Sequence, residues 1–522
     1  MMKALYLFIK SKDFLFALFS GILIGTSYIP FYPWAIFFAY IPLWLKCLDP
    51  NLSLRKVFAL GWTTQFVLTL IGFHWVAHTA HEFGQIPWIL SVPILFVFCS
   101  LMHLYLPLSL ACGFWLSKKL KMSRPQSLMT FALLLILAER SWPSLFPWHL
   151  GYTFLWAKWP VYQWADTFGF WGLSSWILLT NALLAFLFLP IALRTKSFVA
   201  TGLTGFWLIM NLTGTAKKQQ WTVTDQNLKV SITQANIGNA EKIYAEKGKD
   251  FQEAILQKFV QLTDQELLKT PESELIVWPE TAVQNYLDDK FLANQNQQYL
   301  LKNQQRWNKT LITGAYSKDE KSSYNALFFL PSNPTDKKQS YNKTYLLAFG
   351  EYMPFSERFP VLLKLFPFIS NFGRGPGPSV FYWPSKKLTL GLQICYEGLF
   401  ADFSRRLAME QSQILVNVTN DSWFGEKFEP WQHGMMTFAR AIEVRRPLIR
   451  STNTGVSTVI LANGDILQKS PLHQEWTGSY DVPYLQSPEL TTFTHYGYLD
   501  FVFYGIALMI LLIYALLRRR KN

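Results

Sequence analysis

The sequence predicts a multi-pass α-helical membrane bundle of eight spans joined to one large water-soluble α/β domain. Three observations carry this expectation. Apolar residues fill positions 13–214 and return at 498–517, while the stretch between them is polar and charged. That stretch alternates strand-like and helix-like patterns. Lys and Arg gather in every second loop between the apolar runs, as the positive-inside rule requires.

A helix rising about 1.5 Å per residue needs roughly 20 apolar residues to cross a bilayer. Apolar runs lie at 13–29, 31–47, 57–77, 88–116, 126–140, 168–190, 197–214 and 498–517. The fourth is long enough to bend at Pro93 or Pro107. Lys3, Lys10 and Lys12 precede the first run, and Lys46, Arg55 and Lys56 follow the second. Lys118, Lys119, Lys121 and Arg124 follow the fourth, Arg194 and Lys196 the sixth, and Arg518, Arg519, Arg520 and Lys521 the last. The connection 79–87 has no basic residue. The net charge of +14 therefore reflects topology and excludes nucleic acid as a partner. Both termini are expected in the cytoplasm, with the polar insert on the far side of the membrane; if the cell is bacterial, that is the periplasmic side of the inner membrane. The first run reads as a retained anchor, because six more follow it and no small-residue cleavage pattern stands out. The expected domains are 1–217, seven helices; 218–490, the soluble insert; and 491–522, a last helix with a basic tail.

Within the insert, strands are expected at 228–237, 273–278, 310–316, 324–330, 341–347, 387–394 and 414–418. A hairpin is expected from 457–462 to 466–469, around Asn463 and Gly464. Helices are expected at 248–269, 401–411 and 431–446. This is an α/β pattern with a mixed sheet.

Cys47, Cys99 and Cys112 lie in apolar runs, so Cys395 is the one thiol of the insert. A lone thiol in an oxidising compartment risks oxidation, and chemistry is one reason to keep it. Cys395 ends a strand-like run with a helical pattern beyond, where free backbone N–H groups favour thiolate. Glu280 follows another such run, and Lys343 lies among Tyr341, Asn342, Thr344 and Tyr345. A carboxylate to take the thiol proton and an ammonium to hold an oxyanion complete a set sufficient for acyl transfer through a thioester. Each residue also has a plain reading: a small core side chain, a turn carboxylate and a solvated lysine. Pattern alone leaves both readings open.

The local strings add to this. Val277, Trp278, Pro279, Glu280, Thr281 and Ala282, then Tyr341 to Thr344, then Ile394, Cys395, Tyr396 and Glu397 resemble, in that order, the nitrilase (carbon–nitrogen hydrolase) superfamily. The stretch 417–425 is similar to the segment C-terminal to that superfamily's nucleophile. The resemblance implies a four-layer αββα sandwich with a Glu–Lys–Cys triad. Set between seven spans and one, such a domain resembles the apolipoprotein N-acyltransferase family. The strings 349–355, 373–376, Gln432 and His433 through Arg446, Pro447 and Leu448, and Phe146, Pro147 and Trp148 with Gly151 and Tyr152 also look like that family.

This resemblance implies Cys395 as nucleophile, Glu280 as general base and Lys343 as oxyanion holder, with Glu351 a supporting acid and Tyr396 and Glu397 shaping the nucleophile turn. Tyr244, Tyr352, Arg374 and Trp423 are the implied substrate-binding residues. One departure stands out: the family has a Trp shortly after the first strand of the domain, and 239–244 contains none, with Tyr244 the nearest substitute. The implied reaction moves a fatty acyl chain from a membrane phospholipid, through a Cys395 thioester, to the α-amine of a diacylglyceryl-modified apolipoprotein. No cofactor and no metal is expected, and a single catalytic domain working as a monomer needs no partner subunit. Two rival readings stay open: a membrane-tethered amidase with the same triad, and a transporter or binding protein whose domain only captures ligand.

Four further features are weighed. The segment 353–372, with Phe355, Phe359, Leu362, Leu363, Leu365, Phe366 and Phe368 beside Arg358 and Lys364, suits either a lid dipping into the membrane interface or a core helix. Trp and Tyr crowd 142–171 as interfacial anchors. His74, His78 and His81 with Glu82 have a spacing a metal uses, though interfacial histidines are the plainer reading. Glu139 and Arg140 sit where charges pair with each other, with a lipid headgroup or with a cavity.

Overall fold

The computed structural model describes residues 11–238, 241–242, 249–288, 295–365 and 369–521. The chain forms two compact units. One comprises Met1–His81, Ile86–Lys217 and Tyr496–Asn522; the other comprises Lys218–His495 with Glu82–Gln85.

Among the described residues of the first unit, four helices are long and apolar enough to cross a membrane: Leu54–Phe73, Trp88–Lys119, Pro160–Phe186 and Leu499–Arg519. Helices Lys12–Gly25, Arg124–Ser141 and Leu193–Gln220 occupy three more of the expected runs. The expected span 31–47 is not helical throughout. Its first ten residues are turns and bends, and only Ile41–Cys47 is helix. Pro30, Pro33 and Pro42 each remove a backbone donor there. Side chains of the bundle satisfy the freed groups. Asn181 accepts from Tyr40 N at 3.0 Å and donates to Ile36 O at 2.7 Å, and Ser27 Oγ accepts from Ala35 N at 3.0 Å. Irregular backbone at membrane depth requires such internal partners.

The long fourth run is interrupted at 102–104 rather than bent at a proline. Pro107 lies in the first turn of the helix that restarts at Tyr105; in an unbroken helix its ring would meet the His103 carbonyl, which here accepts from Leu106 N at 2.9 Å. Gln65 bridges the gap, donating to Ser100 O at 2.7 Å and accepting from His103 N at 3.0 Å. Glu139 pairs with His149 at 2.6 Å, and Arg140 donates to Gly497 O at 3.3 Å while lying over the Trp171 ring. Protein groups thus answer both charges. His74 and His81 engage the carbonyls of Ile71 and Ile86, and the histidine run gathers no metal-ligand cluster among the described residues.

The second unit holds two mixed sheets. β1 (Gln226–Gln234), β2 (Leu275–Val277), β3 (Thr310–Lys318), β4 (Ser323–Leu330) and β5 (Gln339–Asn342) join β11 (Trp476–Tyr484) in the order β11-β1-β2-β3-β4-β5. β6 (Val380–Trp383), β7 (Leu388–Ile394), β8 (Ile414–Thr419), β9 (Leu448–Thr452) and β10 (Thr458–Ile460) form the other, in the order β10-β9-β8-β7-β6. β1, β2 and β3 are parallel in the first sheet and β7, β8 and β9 in the second, while β11, β4, β5, β6 and β10 each pair antiparallel. Helices Lys249–Lys269 and Gln295–Trp307 pack on the first sheet, burying Leu256, Phe259, Val260, Leu300 and Trp278. The sheets meet through polar contacts as well as packing: Ser451 Oγ donates to Val277 O at 3.2 Å and Thr452 Oγ1 to Gln234 Oε1 at 3.0 Å. Helices Ala401–Met409 and Glu429–Val444 cover the second sheet. The layers read α, β, β, α.

Most expected strands are present within a residue or two. The exception that matters is 341–347. β5 stops at Asn342, and the expected hairpin at 457–469 is reduced to short β10 and one bridge, Ile460 to Ile466.

Candidate active site

Glu280, Lys343 and Cys395 each follow the carboxyl end of a strand: β2, β5 and β7. β2 is short and wholly buried, and its exit crosses β3 at a glycine. A Cβ on Gly314 would lie 2.5 Å from Thr281 N and 2.6 Å from Pro279 O. This close approach lets Pro279 O accept from Gly314 N at 3.2 Å and turns Glu280 inward.

Glu280 is 5% exposed. Its Oε1 accepts from Lys343 Nζ at 3.1 Å and Asn325 Nδ2 at 2.6 Å, and its Oε2 from Asn420 N at 2.9 Å. Lys343 is more deeply buried, and its Nζ also donates to Glu351 Oε1 at 2.8 Å. Burial works against the ammonium, but the carboxylates of Glu280 and Glu351 outweigh it and hold the group well above the usual lysine range. Asn325 Nδ2 spans the two acids, reaching Glu351 Oε1 at 3.0 Å. Glu351 is itself oriented by Leu347 N, which donates to its Oε2 at 2.9 Å.

Cys395 has a left-handed backbone, φ 52°, at the start of the short 3-10 turn Cys395–Leu399. A non-glycine residue held there stores about 1–3 kcal/mol and persists only where its surroundings over-determine it. The expectation that the turn would favour thiolate is not met. Burial and the Glu280 carboxylate push the thiol well above its ordinary range, against the smaller help of Lys343 and a Thr419 hydroxyl contact. A single 3-10 turn offers little dipole to offset that desolvation. The resting group is a thiol, and its proton needs an acceptor.

Glu397 is fully buried beside it and faces four donors. Oε1 accepts from Tyr341 Oη at 2.6 Å, Thr344 N at 2.6 Å and Tyr345 N at 3.1 Å, and Oε2 from Ile394 N at 2.7 Å. These bonds explain the early end of β5: the N–H groups a ladder would use are taken by a side chain. Burial nevertheless pushes the Glu397 carboxyl up to about 7. Tyr396 is buried edge-on against Phe400 at 4.9 Å.

Of the implied substrate residues, Tyr352 and Arg374 are a pair, the guanidinium lying 4.5 Å from the ring centre. Trp423 Nε1 lies 2.9 Å from the Asn420 side-chain oxygen when that amide faces its donors. Tyr244, Phe366 and Phe368 fall outside the described residues. In the apolar segment, only Val361–Leu365 is helical, and Phe355, Phe359 and Val361 are more than half exposed, which excludes a core helix.

No role was legible in the sequence for Asn325, nor for Asn420, Asp421 and His433, which lie in strings that carry only the family resemblance. No spacing marks Asn325 or Asn420, because each acts through a contact distant in the chain. Asp421, Glu429 and His433 present ligand atoms within 4.8 Å of one another, the one such group among the described residues. Arg450 Nη2 lies 3.1 Å from Asp421 Oδ2, and a guanidinium so close opposes a bound dication.

The carbon-nitrogen hydrolase family matches residues 229–486, and the apolipoprotein N-acyltransferase N-terminal domain matches residues 20–183. An apolipoprotein N-acyltransferase of Bdellovibrio bacteriovorus is 51% identical, over 96% of this chain and 94% of that one. The chain belongs to the apolipoprotein N-acyltransferase family. The Geobacter metallireducens apolipoprotein N-acyltransferase is 32% identical, over 90% of this chain and 88% of its own length. Among solved structures, Saccharomyces cerevisiae Nit3, a member of branch 10 of the nitrilase superfamily, is 16% identical with a TM-score of 0.37, covering 50% of this chain and 91% of that one. Family membership makes the chain a membrane acyltransferase of lipoprotein maturation, with a carbon–nitrogen hydrolase domain as its soluble unit.

Proposed function

We propose that this chain transfers a fatty acyl chain from a membrane phospholipid, through a thioester on Cys395, to the α-amine of the N-terminal S-diacylglyceryl cysteine of apolipoproteins. The observation that supports these roles is the 3.1 Å pairing of Glu280 and Lys343 in a buried site, where the carboxylate raises the Cys395 thiol and the ammonium lowers it. Glu280 takes the thiol proton and the thiolate attacks the ester carbonyl. Lys343, steadied by Glu351, holds the oxyanion. Collapse breaks the ester bond, and the lysophospholipid alkoxide leaves with the proton from Glu280. In the second half the lipoprotein amine attacks the thioester, Glu280 accepts its proton, and Cys395 departs as thiolate and is reprotonated. The kinetics are ping-pong.

Tyr396 and Glu397 shape the nucleophile turn, while Tyr352, Arg374 and Trp423, with Tyr244, contact substrate. The exposed Phe355 and Phe359 meet the acyl chains at the membrane interface. The enzyme works as a monomer without a cofactor. Its domains are 1–217, 218–490 and 491–522, with eight membrane passages, the broken segment 31–47 counted as one. Both termini are cytoplasmic and the catalytic domain faces the periplasm of a bacterial inner membrane.

The test is mass spectrometry of the purified protein after incubation with a defined phospholipid. One acyl chain is added at Cys395 and released by hydroxylamine, and Cys395→Ala acquires none. An acylated Cys395→Ala protein, or normal lipoprotein acylation by it, overturns the reading.

A further inference from the structure

Behind the nucleophile lies a closed ring of buried polar groups that the reaction described above does not use. Arg450 Nη1 donates to Asn417 Oδ1 at 2.6 Å, which turns Asn417 Nδ2 toward Cys395 O at 3.4 Å. His433 Nε2 reaches the same carbonyl at 3.4 Å, and its Nδ1 lies 2.8 Å from Asp421 Oδ1. Arg450 Nη2 closes the ring on Asp421 Oδ2 at 3.1 Å. Two donors from different elements thus converge on the carbonyl of a cysteine held in the left-handed region. Gly455 is packed so tightly here that a Cβ would lie 2.0 Å from Asp421 Oδ2.

We propose that His433 is a positioning residue for acyl transfer: with Asn417 it pins the Cys395 carbonyl and so fixes the direction of the nucleophilic sulfur. This rests on Cys395 being the nucleophile, as proposed above. Both ring nitrogens of His433 face acceptors only, Nδ1 meeting Glu429 Oε1 at 3.3 Å as well as Asp421, so both carry hydrogen. The ring is an imidazolium. The charged and titratable groups that face it are Asp421 after β8, Glu429 on its own helix, Arg450 on β9 and the Cys395 thiol. Burial and Arg450 oppose its charge, but Asp421 and Glu429 prevail and raise it to about 9. The pinning bond is therefore complete below that pH and is lost as pH rises through it. The other oxygen of Glu429, Oε2, has no hydrogen-bond partner among the described residues, and burial, with Asp421 beside it, pushes this carboxyl up to about 7, so through the alkaline range it is a carboxylate.

The experiment measures single-turnover acylation of the full chain by a defined phospholipid in detergent micelles, by intact mass, from pH 6.5 to 10. Wild type slows as pH rises through about 9. His433→Gln, a neutral donor, acylates slower by on the order of tenfold or more at pH 7.5, and its remaining rate lacks the alkaline decline. Glu429→Gln removes a carboxylate that raises His433, so the decline moves to lower pH; this second variant carries the test if His433→Gln does not fold. A wild-type rate and an unchanged alkaline decline in His433→Gln, or an unmoved decline in Glu429→Gln, overturns the proposal. Cys395→Ala separates the two readings: acylation of that variant removes the nucleophile assignment itself, whereas its silence beside an indifferent His433→Gln removes only the positioning role.

Discussion

Glu397 accepts the backbone N–H of Thr344 at 2.6 Å. That bond ties the turn carrying Cys395 to the segment carrying Lys343, because the same carboxylate also takes Ile394 N and the Tyr341 hydroxyl. Glu397→Gln would present an amide N–H to at least one of these donors. A buried donor left unpaired costs about 1–3 kcal/mol. The expected result is a lower melting temperature with acylation reduced by on the order of a hundredfold, roughly what 2–3 kcal/mol of misplacement removes. Because the Glu397 carboxyl titrates near 7, wild-type acylation also declines as pH falls from 8 to 6 and the carboxylate gains a proton. Acylation by Glu397→Gln within twofold of wild type would remove the clamp from the account.

Cys395 at rest is a neutral thiol, and this has a direct readout. Thiol alkylation requires thiolate. Iodoacetamide at pH 7.5 should label Cys395 at less than about a tenth of the rate of an unhindered cysteine, followed residue by residue with peptide mass spectrometry. Glu280→Gln removes the carboxylate that raises the thiol, yet it also removes the proposed base. The two effects separate: alkylation stays slow or rises slightly, while acylation by phospholipid falls by at least about a hundredfold, within the range for loss of a general base. Rapid labelling of wild-type Cys395 would show that the thiolate is already formed and that Glu280 has no proton to take.

The sequence and the structure part company in instructive places. The strand ends bearing Glu280 and Cys395 were legible because β2 and β7 are short apolar runs with abrupt polar exits. The end of β5 was not, since Tyr341 to Leu347 holds strand-favouring Tyr and Thr with no Gly or Pro to stop it, and only Glu397, more than fifty residues later, captures its N–H groups. The continuous helix expected at 31–47 is broken for the same reason. Its composition is apolar, but Asn181 and Ser27 from other parts of the bundle provide what helical bonds would have provided. Thiolate at Cys395 was expected from its place in the chain and is absent because of burial, a property that spacing does not encode.

Gly314 sits where β3 lets the Glu280 turn pass. Gly314→Ala places a methyl group within 2.6 Å of Pro279 O and 2.7 Å of Glu280 Cα. Those are backbone atoms, so the strand or the turn must shift. Overpacking of this kind costs about 1–3 kcal/mol. A lowered melting temperature is expected together with a loss of acylation larger than the stability change accounts for at the assay temperature, because the displaced residue is the proposed base. A variant that melts early but, while folded, acylates normally would show that Glu280 tolerates the shift.

Phe355 is 76% exposed and Phe359 52%, beside an equally exposed Val361. Large aromatic side chains left in water by a well-packed domain mark a surface that meets something apolar. Burying one such side chain is worth about 1.5–3 kcal/mol. If both meet the acyl chains or the interface in ground state and transition state alike, their loss raises KM and leaves kcat unchanged. Phe355→Ser with Phe359→Ser should therefore raise the apparent KM for phospholipid by about tenfold or more, with little change in the maximal rate. A short-chain ester that dissolves in water should be turned over as by wild type. A fall in kcat on both donors would instead place the two rings in the packing of the site, and the exposed segment would lose its role in lipid capture.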